Sequence, residues 1–146
     1  MHYFAYGSNL NKGQMQHRCP DAKPVGALML PKARLIFKNV ADVEYHETET
    51  AAGGLWTISA SDEKTLDRYE GVHHGLYVKQ YIRVRVGDRE HDTLIYTMGR
   101  GSYGMPSQGY YDTIRRGYDD FGIKQAMLAK ALRETRLEVG VDREER

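Results

Sequence analysis

The sequence lacks the marks of secreted and membrane-spanning proteins. One cysteine, Cys19, stands in a chain of 146 residues, so an internal disulfide is excluded and a reducing, cytoplasmic location is expected. No apolar stretch approaches the length of about 20 residues that spans a bilayer. The N-terminus has no basic segment followed by an apolar run of about 7–15 residues, so no signal peptide is expected.

A surplus of charge of either sign is also missing. The chain has 21 lysines and arginines against 20 aspartates and glutamates, and its formal net charge is +1. This balance gives no attraction to nucleic acid or to an anionic membrane, and we expect neither as a partner. The length predicts a single domain, and the sequence carries no signal of oligomeric state.

Phenylalanine and tryptophan are scarce, whereas tyrosine is abundant. Eleven tyrosines accompany three phenylalanines and one tryptophan. A tyrosine ring packs as an apolar group, while its hydroxyl requires a hydrogen-bond partner. The tyrosines therefore suit either the walls of a polar small-molecule pocket or the rims of a small barrel.

Extended segments dominate the first part of the chain. The predicted elements are a strand over residues 2–6, a short helix over 11–18, a loop or hairpin tip over 41–54 and a buried strand over 53–60. Residues 25–40 contain Pro31, which predicts either two strands joined at a bend or one bulged edge strand.

The middle of the chain predicts one helix and one hairpin. Residues 61–70 have acidic side chains in the first turn and Gly71 just past the end, as helices prefer. Alternation at period two predicts strands over 76–86 and 91–98, joined by a turn at 87–90.

The last third is predicted to be helical. Apolar residues recur at helical spacing after Ser107, and Gly122 closes this helix. A second helix, marked by apolar residues from Ile123 to Leu132, runs into a charged tail over 138–146 that we expect to be frayed and solvated. The order of elements predicts an α+β domain around a mostly antiparallel sheet or small barrel.

Common catalytic and cofactor motifs fit the sequence poorly. GRGSYG (99–104) matches the glycine pattern of dinucleotide-binding turns, but no strand follows it to complete a βαβ unit. These glycines instead predict a flexible loop that covers a pocket. The spacings of histidine and cysteine predict no metal site, and neither Ser8 nor Cys19 has the surroundings of a nucleophile.

The segment HYFAYGSNL (2–10) ends a buried strand abruptly with three turn-forming residues. Successive N–H groups from Gly7 to Asn9 can point into one concavity that binds a carboxylate or a phosphate. The other interpretation is the start of a helix with Asn9 as its cap. The motif alone favours neither.

Glu70 is the second feature with chemical meaning. Leu66 and Tyr69 are expected to face the core, and Glu70 lies beside that face. Partial burial there would raise the pKa of the carboxylate toward that of a useful general base. The alternative is a solvated glutamate at the end of the helix.

Three segments together are distinctive: YFAYGSNL near the N-terminus, YEGV followed by GLY, and a Pro-Ser/Tyr segment downstream. In these segments the chain resembles the γ-glutamylcyclotransferase family, which includes AIG2-like and γ-glutamylamine cyclotransferase-like proteins. The resemblance covers the chain from Tyr3 to about Tyr118. It implies a small mixed, mostly antiparallel β-barrel with flanking helices over residues 1–122. The C-terminal helix and charged tail of the same domain then occupy 123–146.

The resemblance also implies a reaction and its residues. A γ-glutamyl amino acid or amine would become 5-oxoproline with release of the amine, without a metal or other cofactor. Glu70 is the implied catalytic residue, and the implied substrate-binding residues are Tyr6, Gly7, Ser8, Asn9, Tyr77 and Tyr110. Tyr111 is an equal candidate for the last position. His73 and His74 are either added charge beside the site or solvent-facing loop residues.

The chemistry explains this choice of residues. The α-amine of a γ-glutamyl group can close a five-membered lactam on its own γ-carbonyl. The protein therefore needs only to hold and orient the substrate and to move protons. The amide nest would hold the α-carboxylate, Glu70 would act as general acid/base, and residues 99–107 would select the leaving group. The alternative function is a non-catalytic binding module for a γ-glutamyl or amino-acid ligand, which would not need the glutamate.

Overall fold

The computed structural model describes residues 1–144, with side chains through residue 141. Its strands are β1 (His2–Ala5), β2 (Lys23–Lys38), β3 (Val40–Thr57), β4 (Val78–Val86) and β5 (Arg89–Thr97). Its helices are α1 (Lys12–Arg18), α2 (Ala60–Tyr69), α3 (Gln108–Phe121) and α4 (Gln125–Glu144). Short 3₁₀ turns at Ser8–Leu10 and Val72–His74 precede α1 and β4.

The strands form one sheet in the order β2-β3-β1-β5-β4. β1 runs parallel to β5, and every other neighbouring pair is antiparallel. The predicted α+β fold with a mixed, mostly antiparallel sheet is confirmed. Within residues 1–144, β2 and β4 stay at opposite edges and do not pair, so the sheet is open and "barrel" describes it only loosely.

The long β2–β3 hairpin corrects one prediction. Residues 41–54 were predicted as a loop or hairpin tip, but they belong to β3, and all of them except 46–49 pair with β2. The turn lies at Asn39, whose φ of 67° is left-handed. β3 pairs with β1 only over 54–57. The polar residues 44–50 lie in a two-stranded extension, where their side chains keep contact with water.

β2 decides between the two predictions made for residues 25–40. It is one continuous strand at the edge of the sheet, and its register with β3 shifts between Pro24 and Gly26 and again between Pro31 and Ala33. The bulged edge strand is therefore confirmed, because proline cannot donate to the ladder and is accommodated at such irregularities.

Local signals define the helices beside the site. The Ser59 hydroxyl accepts the N–H of Asp62 at 3.1 Å, and the Asp62 carboxylate accepts the N–H of Ser59 at 3.2 Å. This capping box begins α2, and Gly71, with φ 60°, follows its end. Ser107 caps α3, and Gly122 ends it with φ 69°. Both predicted helices are confirmed.

α4 is longer than predicted. It continues to Glu144 and so includes most of the segment that was expected to be a frayed tail. Thr135 holds the helix to the sheet, since its buried hydroxyl accepts the Phe37 N–H at 2.9 Å and donates to the Ala131 carbonyl at 2.9 Å. The last two residues of the predicted tail, 145–146, lie outside the described residues.

Two hydrophobic clusters pack against the sheet. One includes Phe4, Ile114 and Leu128, from β1, α3 and α4. The other includes Tyr3 and Leu66, from β1 and α2. Successive side chains of β1 therefore enter opposite clusters, and the strand ends between them. None of the described helices combines the length and the apolar character needed to cross a membrane.

Candidate active site

A cavity of about 190 Å³ opens where β1 ends. Six of the seven residues predicted for the site line it: Tyr6, Gly7, Ser8, Glu70, Tyr77 and Tyr110. Asn9 does not. The cavity is smaller than the roughly 300–1,000 Å³ of sites for drug-sized ligands, which suits a group the size of one amino acid.

The turn after β1 presents free backbone donors. The N–H groups of Leu10 and Asn11 donate to the carbonyls of Gly7 and Ser8, each at 3.0 Å. Among the described residues, the N–H groups of Gly7, Ser8 and Asn9 have no acceptor. Consecutive unpaired N–H groups at the wall of a cavity are the arrangement that binds an anion.

Gly7 is required by a close approach at this turn. A Cβ atom at this position would lie 3.2 Å from the Ala41 Cβ and 3.2 Å from the Tyr110 hydroxyl oxygen. Glycine lets the turn, the start of β3 and the α3 tyrosine meet at one wall of the cavity.

Asn9 supports the cavity from behind and does not cap α1. Its side-chain amide donates to the Tyr3 hydroxyl at 3.0 Å, and its carbonyl oxygen accepts from the Arg18 guanidinium at 2.8 Å. Asn11 is the helix cap, since its side chain accepts the Gln14 N–H at 3.0 Å. The interpretation that Asn9 caps the helix is therefore wrong, because the cap lies two residues later, at Asn11.

Glu70 lies at the C-terminal end of α2, with its N–H donating to the Leu66 carbonyl at 2.8 Å. Within the described chain, no hydrogen bond or ion pair is formed by its carboxylate. Burial raises the pKa of Glu70 to about 7, and the nearby positive charge of Arg18 opposes this rise. Glu70 is half-buried at the cavity wall, which favours the first interpretation over the solvated one.

Two tyrosines close the cavity through one residue of β3. The Tyr77 hydroxyl donates to the Ala41 carbonyl at 2.7 Å, and the Tyr110 hydroxyl accepts the Ala41 N–H at 2.9 Å. Burial raises the pKa of Tyr110 to about 12, so it stays protonated. Tyr111, the equal candidate, packs instead against Phe37 with ring centroids 6.3 Å apart. The structure thus places Tyr110, not Tyr111, at the cavity.

Arg18 and Tyr69 also line the cavity, and sequence reasoning missed both. The Arg18 guanidinium carbon lies 4.3 Å from the centroid of the Tyr69 ring, a cation–π contact. Tyr69 was expected to face the core, but it is 55% exposed. The available signal was Arg18 in the last turn of α1, two turns after the glycine-serine-asparagine segment, where its long side chain reaches back to the turn.

Two further predictions concerned residues near the cavity: His73 and His74, and the loop at 99–104. His73 and His74 are exposed on the 3₁₀ turn after α2, and neither lines the cavity, so they are solvent-facing residues. No residue of 99–104 lines the cavity either. The Met98 and Gly99 N–H groups donate to the Asp42 carboxylate at 2.9 and 3.3 Å, which ties the start of the loop to β3.

The described residues contain no group of three or more histidine, cysteine, aspartate or glutamate side chains placed to hold a metal ion. The chemical groups that converge on the cavity are one carboxylate, one guanidinium, several phenols and the backbone donors of the turn. Such a set can bind an anionic group and move a proton.

Comparison with known proteins gives consistent matches. The model of the AIG2-like family matches residues 51–130. A gamma-glutamylcyclotransferase of Mus musculus is 29% identical over 143 residues, which cover 88% of this chain and 75% of the mouse protein. The gamma-glutamylcyclotransferase of Homo sapiens is 29% identical over 136 residues, with coverage of 83% and 71%.

Solved structures agree with these matches. One described as a gamma-glutamyl cyclotransferase superposes with a TM-score of 0.81 at 25% identity, covering 90% of this chain and 85% of that chain. YkqA of Bacillus subtilis superposes with a TM-score of 0.76 at 26% identity, covering 93% of this chain and 54% of that chain.

Proposed function

Because this chain belongs to the AIG2-like family, we propose that it is a γ-glutamyl cyclotransferase, which converts a γ-glutamyl amino acid or amine to 5-oxoproline and the free amine. One observation carries the proposal. The half-buried Glu70 carboxylate, with its pKa raised to about 7, lines the same small cavity as the free N–H groups of the turn at Gly7. A proton carrier and an anion site thus face one space.

The reaction forms one bond and breaks another. The α-amine of the substrate attacks the γ-carbonyl carbon, which forms the C–N bond of a five-membered lactam and places negative charge on the carbonyl oxygen. The tetrahedral intermediate then collapses, and the original amide C–N bond breaks. Two protons pass in turn from the α-ammonium to the leaving nitrogen, so the products are 5-oxoproline and an ammonium ion.

Glu70 carries those protons. A base with a pKa near the working pH can accept a proton from the attacking nitrogen and return it to the leaving nitrogen, which contributes about 10²–10⁴ in rate. The carboxylate accepts no hydrogen bond from the described residues, so its oxygen atoms are free to meet the substrate nitrogen. It ends each cycle in the state in which it began.

The turn binds the anionic parts of the substrate. The N–H groups of Gly7 and Ser8, which line the cavity, attract the α-carboxylate in the ground state and the carbonyl oxygen as it gains charge. The phenols of Tyr77 and Tyr110 are fixed by Ala41, so they form a wall that keeps the chain of the γ-glutamyl group bent toward ring closure.

The test is release of 5-oxoproline from a panel of γ-glutamyl amino acids and amines. We expect Glu70→Gln to lower kcat by at least about a hundredfold while the protein stays folded, because glutamine keeps the shape and loses the proton acceptor.

Glu47→Gln is the matched control, because Glu47 is exposed on β3 and does not line the cavity. Among the described residues, Glu47 also forms no ion pair. It should retain full activity. Binding of the panel by the wild type without release of 5-oxoproline would contradict the proposal and leave a binding module.

A further inference from the structure

A second cavity adjoins the candidate active site. It is a shallow depression, open to solvent and lined by His17 and Arg18 of α1 and by Thr65, Arg68 and Tyr69 of α2. Arg18 and Tyr69 line both cavities, so the two spaces meet at their stacked side chains. We call this second cavity the α1–α2 groove.

The α1–α2 groove is strongly basic. Two guanidinium groups and an imidazole line it, and no carboxylate does. Among the described residues, neither Arg18 nor Arg68 belongs to an ion pair. Their hydrogen bonds are to neutral groups: Arg18 donates to the Asn9 side-chain oxygen at 2.8 Å, and Arg68 donates to the Thr65 hydroxyl at 3.4 Å. Unsatisfied guanidinium donors remain available to an anion.

The position of the groove relative to the first cavity indicates which part of a substrate reaches it. Glu70 and the turn at Gly7 line only the first cavity, where ring closure takes place in the proposed reaction. Arg68 and Thr65 line only the groove. A substrate group that meets Arg68 therefore lies on the far side of Arg18 and Tyr69 from the reacting atoms, and it belongs to the leaving group.

We propose that the α1–α2 groove is the leaving-group subsite, and that it selects γ-glutamyl compounds whose leaving amino acid carries a negatively charged side chain. This inference rests on the proposed cyclotransferase function. The anionic group pairs with Arg68 and Arg18, and the Tyr69 ring packs against the aliphatic part of the leaving group. Guanidinium groups suit carboxylates because two parallel N–H groups match two oxygen atoms.

A structural role for the same arginines makes a different prediction. Arg18 and Arg68 lie in the last turns of α1 and α2, where a cation interacts favourably with the negative end of the helix dipole. That role would change stability and would leave the choice between substrates unaffected. The ratio of activities toward a charged and a neutral leaving group therefore separates the two roles.

The experiment compares γ-glutamyl-glutamate with γ-glutamyl-glutamine, which differ in the charge of one distant group. We expect the wild type to prefer γ-glutamyl-glutamate in kcat/KM by about three- to tenfold, as an open and hydrated ion pair allows. Arg68→Gln should remove most of this preference by lowering kcat/KM for the glutamate compound alone. Added salt should also reduce the preference.

Arg133→Gln is the matched control, because Arg133 is exposed on α4 and lines neither the groove nor the active-site cavity. It removes the same charge and should keep the preference. Equal activity of the wild type toward both substrates, or a preference that survives Arg68→Gln, would overturn the inference and leave the cyclotransferase function intact. Failure to release 5-oxoproline from either compound or from any other γ-glutamyl substrate would overturn the function itself.

Discussion

At the scale of single residues, Gly7 is the position where the site has least room. The two atoms nearest to an added Cβ, on Ala41 and Tyr110, belong to the wall that faces the substrate. Contacts of 3.2 Å require the wall to move by a few tenths of an ångström. A displacement of that kind at a site that orders its substrate costs rate more than it costs stability.

Gly7→Ala should therefore lower kcat/KM for 5-oxoproline release by about tenfold or more while the protein remains folded. The control is Gly109→Ala in α3, where an added Cβ meets nothing within 4 Å. Because alanine favours a helix over glycine, this control should keep full activity and gain about 0.5–1 kcal/mol in the free energy of unfolding. Equal kinetics for both variants would show that the turn does not need its close approach.

At the scale of elements, the start of β3 connects the parts of the site. Ala41 holds both cavity tyrosines, and the next residue, Asp42, is completely buried. The Asp42 carboxylate pairs with the Lys38 ammonium at 2.9 Å and accepts N–H groups from the loop after β5. The hairpin, the loop and the two tyrosines thus depend on one buried charge pair.

Asp42→Asn should cost about 3–5 kcal/mol in the free energy of unfolding, because it leaves the Lys38 ammonium buried without a partner. Urea denaturation measures this change. The exposed pair of Arg83 and Asp92 provides the control, since its side chains are 62% and 72% exposed. Asp92→Asn should cost less than about 1 kcal/mol. A similarly small cost for Asp42→Asn would mean that the buried pair contributes little to folding.

At the scale of the whole molecule, local signals explain what the sequence could predict. Gly71, Ser107 and Gly122 fix helix ends by hydrogen bonds or backbone angles that involve near neighbours in sequence, and those boundaries were predicted correctly. The start of α2 at Ala60, capped by Ser59, lies one residue before the predicted start. The β2–β3 hairpin was not predicted, because the polar residues 44–50 of β3 have no buried apolar face, and the local sequence does not show that they lie beside β2.

The residues of the candidate site also fall into those that the sequence predicted and those that it did not. The turn at Gly7 and Glu70 were found by local pattern and by resemblance, and the structure brings them to one cavity. Arg18 and Tyr69 were missed because their contact joins the ends of two helices that are far apart in sequence. The loop at 99–104 was expected to cover the cavity but does not line it. Its attachment to the buried Asp42 joins residues far apart in sequence, which no local pattern indicates.

The most direct test of the account is the pH profile of kcat/KM for release of 5-oxoproline. Glu70 must be deprotonated to accept a proton, and burial raises its pKa to about 7. General-base catalysis by Glu70 therefore predicts that kcat/KM falls tenfold per pH unit below about pH 7, and that this acidic limb is absent from the residual activity of Glu70→Gln. A wild-type profile that stays flat down to about pH 5, or a limb that persists in Glu70→Gln, would contradict the assignment of Glu70 as the general base.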